Sequence, residues 1–232
     1  MPHPYANHPH IGIANSFAEL NRTEFKENVN ALCWHRPLSG DFHEIVDKLT
    51  LHENITVVTP AELMALALSA AGQTAREIIL QDIQALTDIG AAPVLNLLKS
   101  YERDEDFRFI TTDVYSFHVD RSPVPTDTYL CTYYGAASEL IANDQAIQKV
   151  LIPEVRTQLQ ALHDGPDHTF DHFLQEHYFD LHYQALPHAT PINCGVGNLW
   201  RLAVDHPTQK VLPCIHRAPI ENEGELRLLV IC

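Results

Sequence analysis

Positive charge is scarce in this chain. Its 232 residues hold 15 Lys and Arg against 30 Asp and Glu, for a formal charge of -15. So acidic a surface repels a phosphate backbone, and no nucleic-acid partner is expected. Long apolar runs are also missing: the longest mostly apolar stretch, Leu63 to Ala71, falls well short of the roughly 18 residues that span a bilayer. No basic-then-apolar segment opens the chain, so the expectation is a soluble protein with no membrane partner and no evident export signal. Cysteines in metal- or disulfide-type spacing are lacking too. Cys33, Cys131, Cys194, Cys214 and Cys232 are odd in number, widely spaced and form no C-x-x-C pair, which disfavours a disulfide framework. Free thiols behave as small buried hydrophobes and fit a reducing cytoplasm, the location expected here. Phosphate-cradling glycine loops and the G-x-S-x-G nucleophile elbow do not occur, leaving nucleotide-loop and α/β-hydrolase chemistry without support.

What is present is an ordinary globular composition, 45% hydrophobic and 19% charged, in a chain long enough to bury a real core. The unusual number is 15 histidines, because His is the commonest protein metal ligand.

Residues 1–29 read as an N-terminal tail and lead-in, with His- and Pro-rich Met1 to His10 mobile, and residues 30–232 as a single domain. The run Ala31 to Trp34, stopped by Pro37, predicts a strand, and Ser39 is placed as the cap of a helix to Leu49. Ile55 to Val58 predicts another strand, followed by the helix start Thr59-Pro60-Ala61-Glu62. Helical spacing across a support region, 60–100, predicts two or three helices broken near Gly72 and near Gly90 to Pro93. From Phe107 the period turns to two, through Phe109 and Thr111, then Tyr115, Phe117 and Val119, then Tyr129, Cys131 and Tyr133. A polar, largely helical insert over 143–190 follows, and strands return at Trp200 to Val204, Val211 to His216 and Leu226 to Ile231. This order predicts an α+β fold whose antiparallel sheet or barrel is split by a helical insert.

In Phe117-His118-Val119-Asp120, two-residue spacing on a strand puts an imidazole and a carboxylate on one face. With 15 histidines in the chain, such a triplet arises by chance roughly once, so its context carries the weight. That context is His216, far along the chain in Cys214-Ile215-His216-Arg217-Ala218-Pro219, and then Arg227 in Leu226-Arg227-Leu228-Leu229. Two His and one carboxylate on one side of a divalent iron leave open positions for a chelating co-substrate and oxygen. An Arg on a neighbouring strand could hold that co-substrate's far carboxylate through paired charged bonds. The alternatives are that the histidines are ordinary core or surface residues, or that the same site holds zinc.

This order resembles the double-stranded β-helix oxygenases that use Fe(II) and 2-oxoglutarate. The resemblance implies a cupin-like jelly-roll core with N-terminal helices, metal ligands at His118, Asp120 and His216, and Arg227 as the 2-oxoglutarate anchor. It also implies an activity: hydroxylation of a substrate that the sequence does not name, whether a small molecule or a protein. More narrowly, Phe117 to Arg121, Leu130 to Leu140, His216 to Pro219 and Arg227 to Val230 resemble the bacterial family known as domain of unknown function 1826. Tyr129, Thr132 and Tyr133 are candidates to offer 2-oxoglutarate a hydroxyl, against plain burial as core side chains. A reading from a different class is a non-catalytic protein that binds or handles zinc or another divalent metal through the same His/Asp/His site.

The insert carries His163, His168, His172, His177, His182 and His188 with acids between them, and only His168 and His172 have the i, i+4 spacing of helical ligands. It reads as a solvated helix packed through its aromatics, against a second metal site or a pH-sensitive lid.

Overall fold

The computed structural model describes residues 3–232. The N-terminal part runs β1 (Ile11–Ala14), α1 (Phe17–Arg22), β2 (Ala31–Trp34), α2 (Phe42–Lys48), β3 (Ile55–Val58), α3 (Pro60–Ala65), α4 (Ala70–Asp88) and β4 (Val94–Leu98). Next come β5 (Phe117–His118), β6 (Asp127–Tyr134), β7 (Glu139–Ile141), β8 (Ala146–Gln148), α5 (Pro153–Leu162) and α6 (Phe170–Glu176). The chain closes with β9 (His182–Ala185), β10 (Ile192–Asn193), β11 (Leu199–Ala203), β12 (Ile215–Arg217) and β13 (Arg227–Ile231). The result is a mixed α+β fold with two sheets: a larger one in the order β1-β2-β11-β6-β13-β4-β3 and a smaller one in the order β10-β7-β12-β5-β9-β8. β1 and β2 pair in parallel, whereas the strands that carry the site, β5, β12, β7 and β9, pair antiparallel.

The larger sheet is covered on both faces along its middle strands, and strand alternation divides their side chains between two cores. On β6, Tyr129, Cys131 and Tyr133 turn towards Ile45 of α2, Leu63 of α3 and Ile79 and Leu86 of α4. Leu130 turns the other way, joining Trp200, Leu202 and Leu229 against Leu140 and Ile192 of the smaller sheet. The helices begin where small polar residues satisfy free backbone N–H groups: Ser16, Asp41, Thr59 and Ser69 each cap one, and Thr59 with Glu62 closes a reciprocal capping box. Each such cap contributes about 1 kcal/mol. On α4 the buried positions Ala75, Ile79, Asp82 and Leu86 recur at helical spacing, so one stripe of the helix meets the sheet.

Several expectations need correction. The N-terminal stretch is folded from His3 onward: Tyr5 is buried, its ring meets Trp200 edge-on at 4.9 Å, and its hydroxyl donates to the Asn193 carbonyl. Met1 and Pro2, also placed in the mobile tail, lie outside the described residues. Within residues 11–29, β1 pairs with β2 inside the larger sheet. Asp41, not Ser39, caps α2. Within the support region the break falls between Ala65 and Ala70, Gly72 lies in the first turn of α4, and 94–98 is a strand rather than helix. β4 pairs with both β3 and β13, and tertiary pairing overrides its helical periodicity. Phe107, Phe109 and Ile110 form no strand; they pack against Phe170, Leu174 and Phe179. The insert is not purely helical, since β8 and β9 within it belong to the smaller sheet. Among the described residues no helix is long and apolar enough to cross a membrane.

Candidate metal centre

β5 lies between β12 and β9, with His118 directly opposite His216 on one side and His182 on the other. Phe117, Val119, Leu181 and Ile215 pack together on the outer face of the smaller sheet. Alternation therefore turns His118, Asp120, His182 and His216 inward, on the side where Leu140, the cross-strand partner of His216, joins the core between the sheets.

Each of the two predicted histidine ligands is oriented by its own strand. His118 Nδ1 lies 2.7 Å from the Ser116 carbonyl, and His216 Nδ1 lies 3.2 Å from that of Cys214. A carbonyl only accepts, so each Nδ1 carries the proton and each Nε2 presents its lone pair, the arrangement that fixes histidines at metal sites. Asp120 is held by the Thr128 hydroxyl, which donates to Oδ2, and that oxygen lies 3.6 Å from His216 Nε2. The three residues bring ligand atoms within 4.8 Å of one another, the one such convergence of His, Cys, Asp or Glu among the described residues. Burial, and then the neighbouring His216 ring, push the His118 pKa down to about 4, so this imidazole is neutral as a ligand must be. For Asp120, burial acts to raise the pKa, but His216, the Thr128 hydroxyl and His118 outweigh it and the net direction is down. Two imidazoles and one carboxylate form a donor set that fits a divalent cation.

Arg227 opens β13 and shares the parity of Leu229, so it too faces the space between the sheets. It is only 2% exposed. Its Nη2 donates to Ser138 Oγ at 2.8 Å and to Thr132 Oγ1 at 3.2 Å, while Nε and Nη1 are buried without a partner. Ser138 lies just before β7, two residues from Leu140, the residue opposite His216. No carboxylate among the described residues forms an ion pair with Arg227, and burial lowers its pKa. Tyr101, Cys194 and Glu221 act the other way and favour its charged form. Gly135 lets the chain pass here: its φ is +82°, and a Cβ would meet the Leu226 carbonyl at 2.6 Å.

Other predicted groups lie elsewhere. Tyr129 is on the helix side of the larger sheet, its hydroxyl donating to Asn21 Oδ1 at 3.0 Å, and is therefore separated by the sheet from Thr132 and Arg227. Tyr133 shares that side and donates to Asp82 Oδ2 at 2.7 Å. His168 and His172 join no converging ligand group; His172 Nε2 lies 3.3 Å from Glu176 on an exposed surface. His163 and His177 act as packing rings against Phe170, Phe173 and Phe179. Three residues near the site are not singled out by the sequence as part of it: Thr128, Ser138 and His182, the last read only as one of the insert histidines, reach it through pairing between distant segments. A cavity of about 500 Å³ between His10, Asn30 and Asn143 lies away from the ligands and holds no converging donor set.

The family model described as a protein of unknown function, DUF1826, matches residues 15–169. The chain belongs to that family. The DUF1826 match takes in His118 and Asp120, together with Thr128, Thr132 and Ser138, and ends before His216 and Arg227. Comparison with curated proteins and with solved structures gives no match.

Proposed function

We propose that this DUF1826 protein is an Fe(II)/2-oxoglutarate-dependent oxygenase-like protein with a double-stranded β-helix core, acting on a C–H bond of its substrate. Two observations support the reading: a converging His/Asp/His set, and a buried arginine that donates to Thr132 and Ser138 and forms no ion pair. Bound iron and 2-oxoglutarate would supply oxidation by O2, the co-substrate leaving as succinate and CO2 while one oxygen atom enters the substrate. The chain's contribution is positional. His118 and His216 offer Nε2 lone pairs, and Asp120 offers a carboxylate oxygen steadied by Thr128. Arg227, braced by Thr132 and Ser138, offers Nε and Nη1 to the far carboxylate of the co-substrate. Burial strengthens this recognition, because water does not compete for the guanidinium. The facing sheets suit a jelly-roll core, in which one sheet bears the ligands and the other the anchor.

Two His and one Asp also hold zinc, so metal handling is the second reading. Arg227 favours the oxygenase, because storing or passing on a cation has no use for a buried anion receptor. The test is anaerobic metal binding. The wild type is expected to take up one equivalent of Fe(II), and His118→Ala and His216→Ala to lose it while unfolding as cooperatively as the wild type. Unchanged metal content in both variants overturns the assignment.

A further inference from the structure

Three imidazoles stand side by side across the smaller sheet, His216 opposite His118 and His118 opposite His182. The first two are tied by Nδ1 to a carbonyl of their own strand. His182 has no such tie: it is 5% exposed, yet its Nδ1 has no hydrogen-bond partner. Buried polar atoms are matched in the great majority of cases, and an unmatched one calls for an explanation. The ring centroid of His182 lies 5.8 Å from that of His118, and both residues line, with Asp120, a cavity of about 250 Å³.

The other polar side chains of this cavity are already occupied. Arg121 pairs with Asp180 and Asp205, Asp113 accepts from the backbone N–H groups of Tyr115 and Ser116, and the Thr112 hydroxyl donates to Asp104. His182 retains free hydrogen-bonding capacity at the edge of the ligand set without belonging to it, since the converging atoms are those of His118, Asp120 and His216.

We infer that His182 hydrogen-bonds the molecule that enters this cavity on the open side of the metal, and so selects what binds there. The inference rests on the metal reading of His118, Asp120 and His216. The class it selects carries a hydroxyl, an amide or a small anionic group beside the metal-held atom; a purely hydrocarbon ligand would leave the buried imidazole unmatched.

The test uses Co(II)-loaded protein titrated with azide, read from the visible cobalt bands. His182→Phe is expected to bind Co(II) as the wild type does and to bind azide about tenfold or more weakly, as for one lost hydrogen bond to a charged group. His182→Gln, which keeps a donor, is expected to recover most of that affinity. If Phe does not fit the fold, His182→Leu replaces it. Equal azide affinity in wild type and variant overturns the inference and leaves the metal site standing. A loss of Co(II) affinity in the variant makes His182 a ligand and also overturns it. A wild-type protein that takes up no Co(II) overturns the metal reading, and this inference with it.

Discussion

Arg36 and Arg227 lie on opposite faces of the larger sheet, and both are largely removed from water, but they are matched very differently. On the helix side, the Arg36 guanidinium pairs with both oxygens of Asp82 and donates from Nε to the Gly197 carbonyl, while the Tyr133 hydroxyl donates to the same Asp82. This cluster ties α4 to the sheet, and every charge in it has its opposite. On the inner side, Arg227 has two hydroxyl partners, two nitrogens without a hydrogen-bond partner and no ion pair, Glu221 acting on it only from further off. Burying a charge without a close counter-ion is costly, so the difference contrasts a joint that serves the fold with the group proposed above to receive the co-substrate.

The largest effect is expected where the joint is broken. Asp82→Ala strands Arg36 in a dry site and should cost about 3–5 kcal/mol, read by urea unfolding; a loss under about 1 kcal/mol would remove one side of the contrast. Arg227→Met should do the reverse. It removes an unmatched charge at similar volume, so unfolding should shift little or towards greater stability, while 2-oxoglutarate affinity, read by anaerobic calorimetry, falls about 100-fold, or about 3 kcal/mol. An Arg227→Met protein as unstable as Asp82→Ala would place both arginines in the structural class. The smallest effect belongs to Tyr129→Phe, which should lose about 1 kcal/mol with its bond to Asn21 and leave metal and 2-oxoglutarate binding unchanged. A drop in co-substrate affinity in that variant would mean that the two faces of the sheet are not separate.

Much of the site was legible because it depends on short-range parity. His118 and Asp120 share a face by their spacing, and His216 and Arg227 sit in recognisable strands. The same parity shows why Tyr129 and Thr132 cannot serve one ligand: three residues apart on β6, they point to opposite faces. What could not be read is pairing between distant segments. Nothing local says that β9, inside a His-rich stretch, lies beside β5 and brings His182 to His118, or that Ser138 reaches Arg227. The burial of Tyr5 against Trp200 is equally non-local, which is why a Pro- and His-rich opening read as a tail. Val94 to Leu98 resembled helix because Val94, Leu97 and Leu98 also fit helical spacing, while its pairing with β3 and β13 is non-local.

The most direct test of a metal centre joined to an anion receptor is an anaerobic absorbance titration of the Fe(II)-loaded protein with 2-oxoglutarate, in wild type and Arg227→Met. The account predicts a visible charge-transfer band that saturates in the wild type and needs far more 2-oxoglutarate in the variant. Tightly bound zinc with no spectral response to 2-oxoglutarate, or a band that develops identically in both proteins, would contradict it.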